Sequence, residues 1–175
     1  MDYLRNYRQL VERVDGLNQR ILQDYPEQIH CHPGCDSCCR HLALFWVEGV
    51  ALSFALRELP RDEAEHIRQR ARCVGPDDPC PLLEGGRCLL YAARPLICRT
   101  HGLPLLGQRD GERFVDVCPK NFQGIAQLPP AAVLDLDRLN VTLASVNSLF
   151  VAEAFGSEKP ATERVFIAEA LLLEF

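Results

Sequence analysis

The sequence predicts a mainly α fold in a single domain spanning residues 1–175, with helices flanking a cysteine-rich loop region that carries a small β-hairpin. Three observations predict it. Apolar residues recur every three or four positions towards both ends of the chain, which is the helical period. Glycine and proline cluster between residues 74 and 130, where regular helices must be short. Eight of the nine cysteines fall between positions 31 and 118. The domain therefore divides into flanking helices over 1–25 and 131–175 and a cysteine-rich core over 31–118.

Taken in order, Leu10, Val14, Leu17 and Ile21 make one face of a first helix, with Glu12, Arg13, Gln19 and Arg20 on other faces. Asp2 is the expected N-cap, and Pro26 ends the helix. Residues 30–40 form a loop. The apolar run 42–46 is too short for its period to separate strand from helix, whereas 47–59 reads as helix. A third helix begins near Pro60 and covers 61–72, with Ala64, Ile67 and Ala71 as a narrow apolar stripe that places it at the surface. Gly75-Pro76, Gly85-Gly86, Asp110-Gly111 and Pro129-Pro130 punctuate the middle of the chain. Asp110-Gly111, set between Leu105-Leu106 and Phe114-Val115, is the hairpin signal. Helix returns with Leu139, Leu143, Val146 and Phe150, closed by Gly156. A last helix is expected from about residue 162, with Val165, Phe166, Ala168, Leu171 and Leu172 on its apolar face. The helices of the two ends are expected to pack together.

Composition narrows the class. Hydrophobic residues make up 47% and charged residues 25% of the chain, as in ordinary globular proteins. The formal charge of −5 comes without a basic stripe, which argues against nucleic acid as a partner and favours a protein or a small molecule. The opening Met1-Asp2-Tyr3-Leu4-Arg5-Asn6-Tyr7-Arg8 has no basic start followed by an apolar core, so the chain is read as cytoplasmic. The most apolar window, 42–59, contains Glu48, Ser53, Arg57 and Glu58 and falls short of the ~20 residues that span a bilayer, so no membrane is expected.

Reducing cytosol keeps thiols free, which turns nine cysteines into candidates for metal binding rather than for bridges. Cys73 stands apart. The other eight, Cys31, Cys35, Cys38, Cys39, Cys80, Cys88, Cys98 and Cys118, are the predicted metal-binding residues. In Cys35-Asp36-Ser37-Cys38 a tight turn can aim two sulfurs at one ion, with Gly34 free to take positive φ. Cys31 adds a third thiol, one residue further away than the ideal spacing and separated from Cys35 by the rigid Pro33. Neighbours on one peptide point apart, so Cys38 and Cys39 suit a multinuclear centre or two centres better than one zinc. Cys80-Pro81 and Cys118-Pro119 resemble the last ligand step of bacterial ferredoxins. Spacing leaves open whether the eight thiols make two four-thiol sites or one, and whether the cofactor is an iron–sulfur cluster, such as 4Fe-4S, or Zn.

The segments Cys31-His32-Pro33-Gly34-Cys35-Asp36-Ser37-Cys38-Cys39-Arg40, Cys80-Pro81-Leu82-Leu83, Gly86-Arg87-Cys88-Leu89-Leu90-Tyr91, Arg94-Pro95-Leu96-Ile97-Cys98-Arg99 and Cys118 together resemble the CxxCxxCC family of zinc- or iron-chelating proteins, over about residues 31–118. Three residues rather than two separate Cys31 from Cys35, a departure from the family spacing. The resemblance implies that the eight cysteines build a metal site. One branch of the family carries the motif beside a flagellin lysine methylase activity.

Arg94 and Arg99 bracket Cys98 and are the expected cofactor-binding cations, since guanidinium groups offset thiolate charge and donate to sulfur. Arg40 is a lesser candidate for the same role. His30, His32, His41 and His101 lie near the thiols and are expected mostly outside the coordination sphere, because thiols already suffice. His66 is expected in solvent. Asp36 and Glu48 read as a turn aspartate and a helix-start glutamate, and Trp46 with Phe45 reads as core. No paired carboxylates, nucleophile triad or phosphate loop appears, so no catalytic residue is assigned. The function expected is a metal-binding protein that serves electron transfer or redox support of a protein partner. The alternatives are a metal-dependent enzyme acting on a protein or small molecule, and a structural zinc module for protein contacts.

Overall fold

A computed structural model describes residues 2–32, 34–75 and 77–175. Pro33 and Pro76, read above as a rigid turn residue and part of a chain break, lie outside the described residues, as does Met1. Among the described residues helices dominate, joined by three small sheets.

Helix α1 spans Arg5–Asp24 and buries Tyr7, Leu10, Val14 and Ile21. Tyr7 joins the apolar stripe, while Leu17, at its edge, stays more than one-third exposed. Asp2 is not the N-cap. The helix starts three residues later, and the Asp2 carboxylate accepts from the Leu4 N–H at 3.3 Å and pairs with Arg8 at 2.8 Å. The chain then turns at a 3₁₀ segment, Pro26–Gln28, and enters the first cysteine loop.

Strand β1 (Ala43–Phe45) resolves the ambiguous apolar run as extended and feeds directly into helix α2 (Trp46–Arg57). Helix α3 (Arg61–Cys73) buries the predicted Ala64, Ile67 and Ala71. Short strands β2 (Leu83–Glu84) and β3 (Arg87–Cys88) form a hairpin, and a single short helix, α4 (Leu96–Thr100), follows. Strands β4 (Leu105–Arg109) and β5 (Glu112–Asp116) are the predicted hairpin around Asp110-Gly111, both at positive φ as a two-residue turn of this type requires. Strand β6 (Leu134–Asp135) adds to β4 in parallel and runs into helix α5 (Leu136–Phe155), whose cap Asp135 accepts from Arg138 N–H at 2.8 Å. Gly156 closes α5 at φ +56°.

The last helix is shorter than expected. Arg164–Phe166 forms strand β7, and only Ile167–Leu171 is helical, as α6. Strand β7 pairs antiparallel with β1, Leu44 opposite Val165, because a β-branched residue and a leucine facing one another complete a ladder that a helix would leave unpaired. The two strand-to-helix junctions are built alike. In Phe45-Trp46-Val47-Glu48 the carboxylate returns to the Phe45 N–H at 3.2 Å, and in Phe166-Ile167-Ala168-Glu169 it returns to the Phe166 N–H at 2.9 Å. Gly49 sits where the junctions cross: a Cβ there would meet Val165 at 2.7 Å. Trp46 is half-buried, edge-on to Phe155, and donates from its indole N–H to Thr162 O at 2.7 Å.

Three apolar clusters hold these elements. Leu52, Leu56, Ile67, Ile167 and Leu171 unite α2, α3 and α6. Leu10, Val14, Val50, Leu143 and Phe150 unite α1, α2 and α5. Ile21, Leu103, Leu105, Phe122 and Leu134 pack the end of α1 on the β4–β5–β6 sheet. Of the terminal helices, α1 packs on α5, whereas α6 packs on α2 and α3. Among the described residues, no helix is long and apolar enough to cross a membrane.

Glu48 differs from Glu169 in one respect that matters. Its side chain is 3% exposed, and its second oxygen accepts from the Leu96 N–H at 2.9 Å, which ties α2 to the start of α4. Burial pushes its carboxyl above the usual range, against the two N–H donors that favour the charged form. Glu48→Ala should cost about 2–4 kcal/mol, since it strands two buried N–H groups and leaves a cavity. Glu169→Ala at the exposed junction should cost only about 0.5–1 kcal/mol. Chemical denaturation of both variants checks the difference, and equal losses would contradict the role given to the Leu96 contact.

Candidate metal centre

The first cysteine loop is shaped by backbone turns, with Cys35 N–H donating to His32 O at 3.0 Å and Cys39 N–H to Asp36 O at 2.8 Å. Gly34, at φ +96°, donates to Gly86 O at 3.1 Å and presses the loop onto the β2–β3 turn. The approach is close: a Cβ on Gly86 would stand 3.0 Å from Gly34 Cα. The Cys80 N–H reaches Cys39 O at 3.4 Å, beside an antiparallel bridge between Arg40 and Pro79. Helix α3 holds this second segment from behind. Arg70 donates to the carbonyls of Pro81 and Leu83, and His66 pairs with Glu84 at 2.8 Å. His66 is exposed, as expected for a solvated residue, yet it grips the hairpin.

Four thiols lie around this platform. Cys39, Cys80, Cys88 and Cys98 are half-buried, and Cys80 and Cys88 pack against the α2–α3–α6 cluster. All six pairs among these four lie near enough for the charge on one sulfur to raise the pKa of its partner. Burial is the larger cause. It pushes Cys80 up to about 11 and Cys98 up to about 12, and raises Cys39 and Cys88 as well. Backbone N–H groups face the sulfurs, from Leu82 and Leu83 to Cys80 and from Leu90 to Cys88. Such donors stabilise thiolate and orient it.

The remaining four stand further out. Cys31 and Cys38 are exposed, and Cys35 and Cys118 half-buried. The Cys38 thiol, raised mainly by burial, also senses Cys39, Cys31 and Cys35. Cys31 and Cys118 flank Gly102, where a Cβ would lie 2.9 Å from Cys31 Sγ and 3.8 Å from Cys118 Cβ. Here the donors are side chains. Lys120 Nζ donates to Cys35 Sγ at 3.5 Å, and the Asn121 amide donates to Cys31 Sγ at 3.3 Å and to Gly102 O at 2.7 Å. Asn121 is 3% exposed, and its oxygen accepts from the His30 N–H at 2.8 Å, which fastens the Cys31 segment to the Cys118 loop. The two groups of thiols adjoin at the Cys38–Cys39 peptide, where a side-chain hydrogen bond from Cys38 favours the Cys39 thiolate.

Arg94 and Arg99 have different surroundings. The Arg94 guanidinium lies 3.5 Å over the Tyr91 ring, and its charge lowers the pKa of Cys39 and Cys88. Arg99 is turned to Asp15 at 2.7 Å and to the carbonyls of Arg94 and Ala92, joining α4 to α1. His41 spends both ring nitrogens on the backbone, Nδ1 donating to Gly75 O at 2.9 Å and Nε2 accepting from Ala168 N–H at 3.1 Å. Burial holds His101 below its usual pKa, towards the neutral form.

Among the described residues, no three His, Cys, Asp or Glu side chains are gathered closely enough to hold an ion as they stand. The donor chemistry nonetheless fits zinc or iron, which favour thiolates faced by N–H groups and nearby cations. Binding therefore requires the loops to draw inwards and the raised thiols to release protons. Sequence reasoning missed Lys120, Asn121 and Gly102. Their place within three residues of Cys118, or between Cys98 and the hairpin, gave no spacing pattern to find them by.

Gly102→Ala tests the outer arrangement. At φ +92° an added Cβ is strained and would drive into Cys31 Sγ, so a loss of about 1–2 kcal/mol is expected together with lower metal content. Gly16→Ala, with nothing within 4 Å inside α1, should instead be neutral or stabilising by up to about 1 kcal/mol in the same denaturation series.

A family model described as CxxCxxCC, "putative zinc- or iron-chelating domain", matches residues 30–119, just over half of the chain. No curated protein and no solved structure matches it. The matched span begins one residue before Cys31 and ends one residue after Cys118, so it encloses all eight clustered thiols, and the chain belongs to the CxxCxxCC family.

Proposed function

We propose that this protein binds an iron–sulfur cluster or zinc through Cys31, Cys35, Cys38, Cys39, Cys80, Cys88, Cys98 and Cys118, and that it serves electron transfer or redox support of a protein partner. One observation carries the reading. Cys39, Cys80, Cys88 and Cys98 come from four separate segments, yet each lies within electrostatic reach of the other three. As thiolates these four would repel one another, and a bound cation would offset that charge. When bound, such a group supplies either reversible one-electron chemistry or a structural clamp.

The chain's own residues set the conditions. Arg94 contributes positive charge at Cys39 and Cys88, and the backbone N–H groups of Leu82, Leu83 and Leu90 favour the thiolate form of Cys80 and Cys88. Glu48 sets the start of α4 and so the height of Cys98. The adjacent Cys38 and Cys39 thiols interact with each other, and the pair suits a multinuclear centre or two centres. Four thiolates satisfy a zinc ion as well as a four-iron cluster, so zinc and iron–sulfur stand level on donor count.

Elemental analysis and the visible spectrum of anaerobically purified protein decide between them. Broad brown absorption that bleaches reversibly on reduction supports the redox role. A colourless protein with stoichiometric zinc supports a structural module for protein contacts. Protein that takes up neither metal overturns the proposal. Cys98→Ser should lose metal and stability together, while Cys73→Ser, at the exposed end of α3, should keep wild-type metal content.

A further inference from the structure

We propose that the outer face of α5 is a contact surface for a second copy of this chain, the two helices lying antiparallel about a two-fold axis at Ser145.

The face is defined first by what it lacks. Between Arg138 and Glu153, α5 carries no charged residue over fourteen positions, 139–152, in a chain of which 25% is charged. The inward side of this stretch buries Leu143, Asn147 and Phe150 and packs on α1 and α2. The opposite side is open: Val141 is 67% exposed and Leu149 53%, although both are large and apolar. Thr142, Ser145 and Ser148, also exposed, stand among them. At 3.6 residues per turn these five fall within about 60° on either side of Ser145, so they form one strip rather than scattered points.

The polar members of the strip have their donors satisfied within the helix. Thr142 Oγ1 donates to Arg138 O at 2.7 Å, Ser145 Oγ to Val141 O at 2.9 Å and Ser148 Oγ to Ala144 O at 3.0 Å. With each hydroxyl proton already placed on a carbonyl of its own helix, covering the strip strands no side-chain donor. The desolvation cost that opposes burial of a serine-rich surface is therefore small here.

The occupant follows from the pattern, which is complementary to itself. Turned end for end about Ser145, the strip sets Val141 level with Leu149 of the second copy, Thr142 level with Ser148, and Ser145 opposite Ser145. Apolar side chains meet on either side of the axis, and small ones meet at the centre, where the two backbones approach most closely. The charges that bound the strip agree with the same register. Arg138 comes within one residue, a rise of about 1.5 Å, of the level of Glu153 of the second copy and on the same flank of the pair. Opposite signs meet there twice, as two-fold symmetry requires. Both side chains are exposed, and among the described residues neither has an ion-pair partner in its own chain. A parallel pairing of the same helices would instead bring Arg138 to Arg138 and Glu153 to Glu153. The contact is smaller than the ~20–30 residues a side of a standard interface, so reversible association at concentrations on the order of 10 µM is expected.

The test follows the whole chain, kept reduced so that its cysteines cannot link copies, by sedimentation equilibrium from about 2 to about 500 µM. A reversible monomer–dimer equilibrium is expected. Leu149→Glu should weaken it at least ~10-fold, since each dimer would cover two carboxylates in place of two leucines. Arg138→Glu and Glu153→Arg should each weaken it about 3- to 10-fold, and the two together should return it to within about twofold of wild type, because the pairs are then restored with signs exchanged. All three positions are exposed, and helical circular dichroism with the thermal midpoint establishes that each variant folds. A chain that stays monomeric at every concentration overturns the proposal and leaves α5 to a different protein. A dimer that persists in Leu149→Glu places the contact elsewhere and overturns it as well. Failure of the double charge reversal to restore association overturns the antiparallel register.

Discussion

The carboxylate of Glu48 is the contact on which the arrangement of this molecule turns. It is buried, it belongs to the first turn of α2, and it accepts one N–H from its own strand and one from Leu96. A buried acid is costly to keep, and here the cost is offset by two donors that would otherwise have no acceptor. The result is a fixed relation between the β1–α2 junction, deep in the apolar interior, and the five-residue α4 that bears Cys98. A helix of five residues has little stability of its own. Its place is imposed by Glu48 at one end and by the Arg99–Asp15 pair reaching α1 along its side.

The same division of labour runs through the thiol region. Helix α3, polar on its outer face, uses Arg70 and His66 to hold a hairpin that is only two residues a side. Asn121 fastens the Cys31 segment to the Cys118 loop with three hydrogen bonds from one amide. Leu82 and Leu90 seat the second cysteine segment in the α2–α3–α6 cluster. Polar side chains from ordered helices and turns also position the cysteine loops, which leaves the sulfurs close to one another while still allowing the last movement that coordination demands.

Much of this was legible in the chain. The period of Leu10, Val14 and Ile21, the Asp110-Gly111 turn, the stripe of Ala64, Ile67 and Ala71, and the eight-cysteine pattern each depend on residues close in sequence, where the physics is local. The misreadings came where partners are distant. Val165 and Phe166 carry a pattern that suits helix as well as strand, and only β1, some 120 positions earlier, makes strand the better answer. Asp2 has the chemistry of a cap, but the helix starts after it. Arg99 sits next to Cys98 in sequence and turns away from it, because Asp15 on α1 is the nearer charge. Lys120 and Asn121 escaped notice for the opposite reason: nothing nearby in sequence sets them apart from ordinary loop residues.

Trp46, the single tryptophan, stands at the β1–β7 closure with its indole on Thr162 O and its ring edge on Phe155. That position makes it a built-in fluorophore for the joining of β7 to β1. A chromophore or metal bound as proposed would report the sulfur-bearing loops instead. Emission and visible absorbance thus watch two parts of one polypeptide independently, and a comparison of their melting curves would tell whether the β1–β7 closure comes apart before, with or after the sulfur-bearing loops.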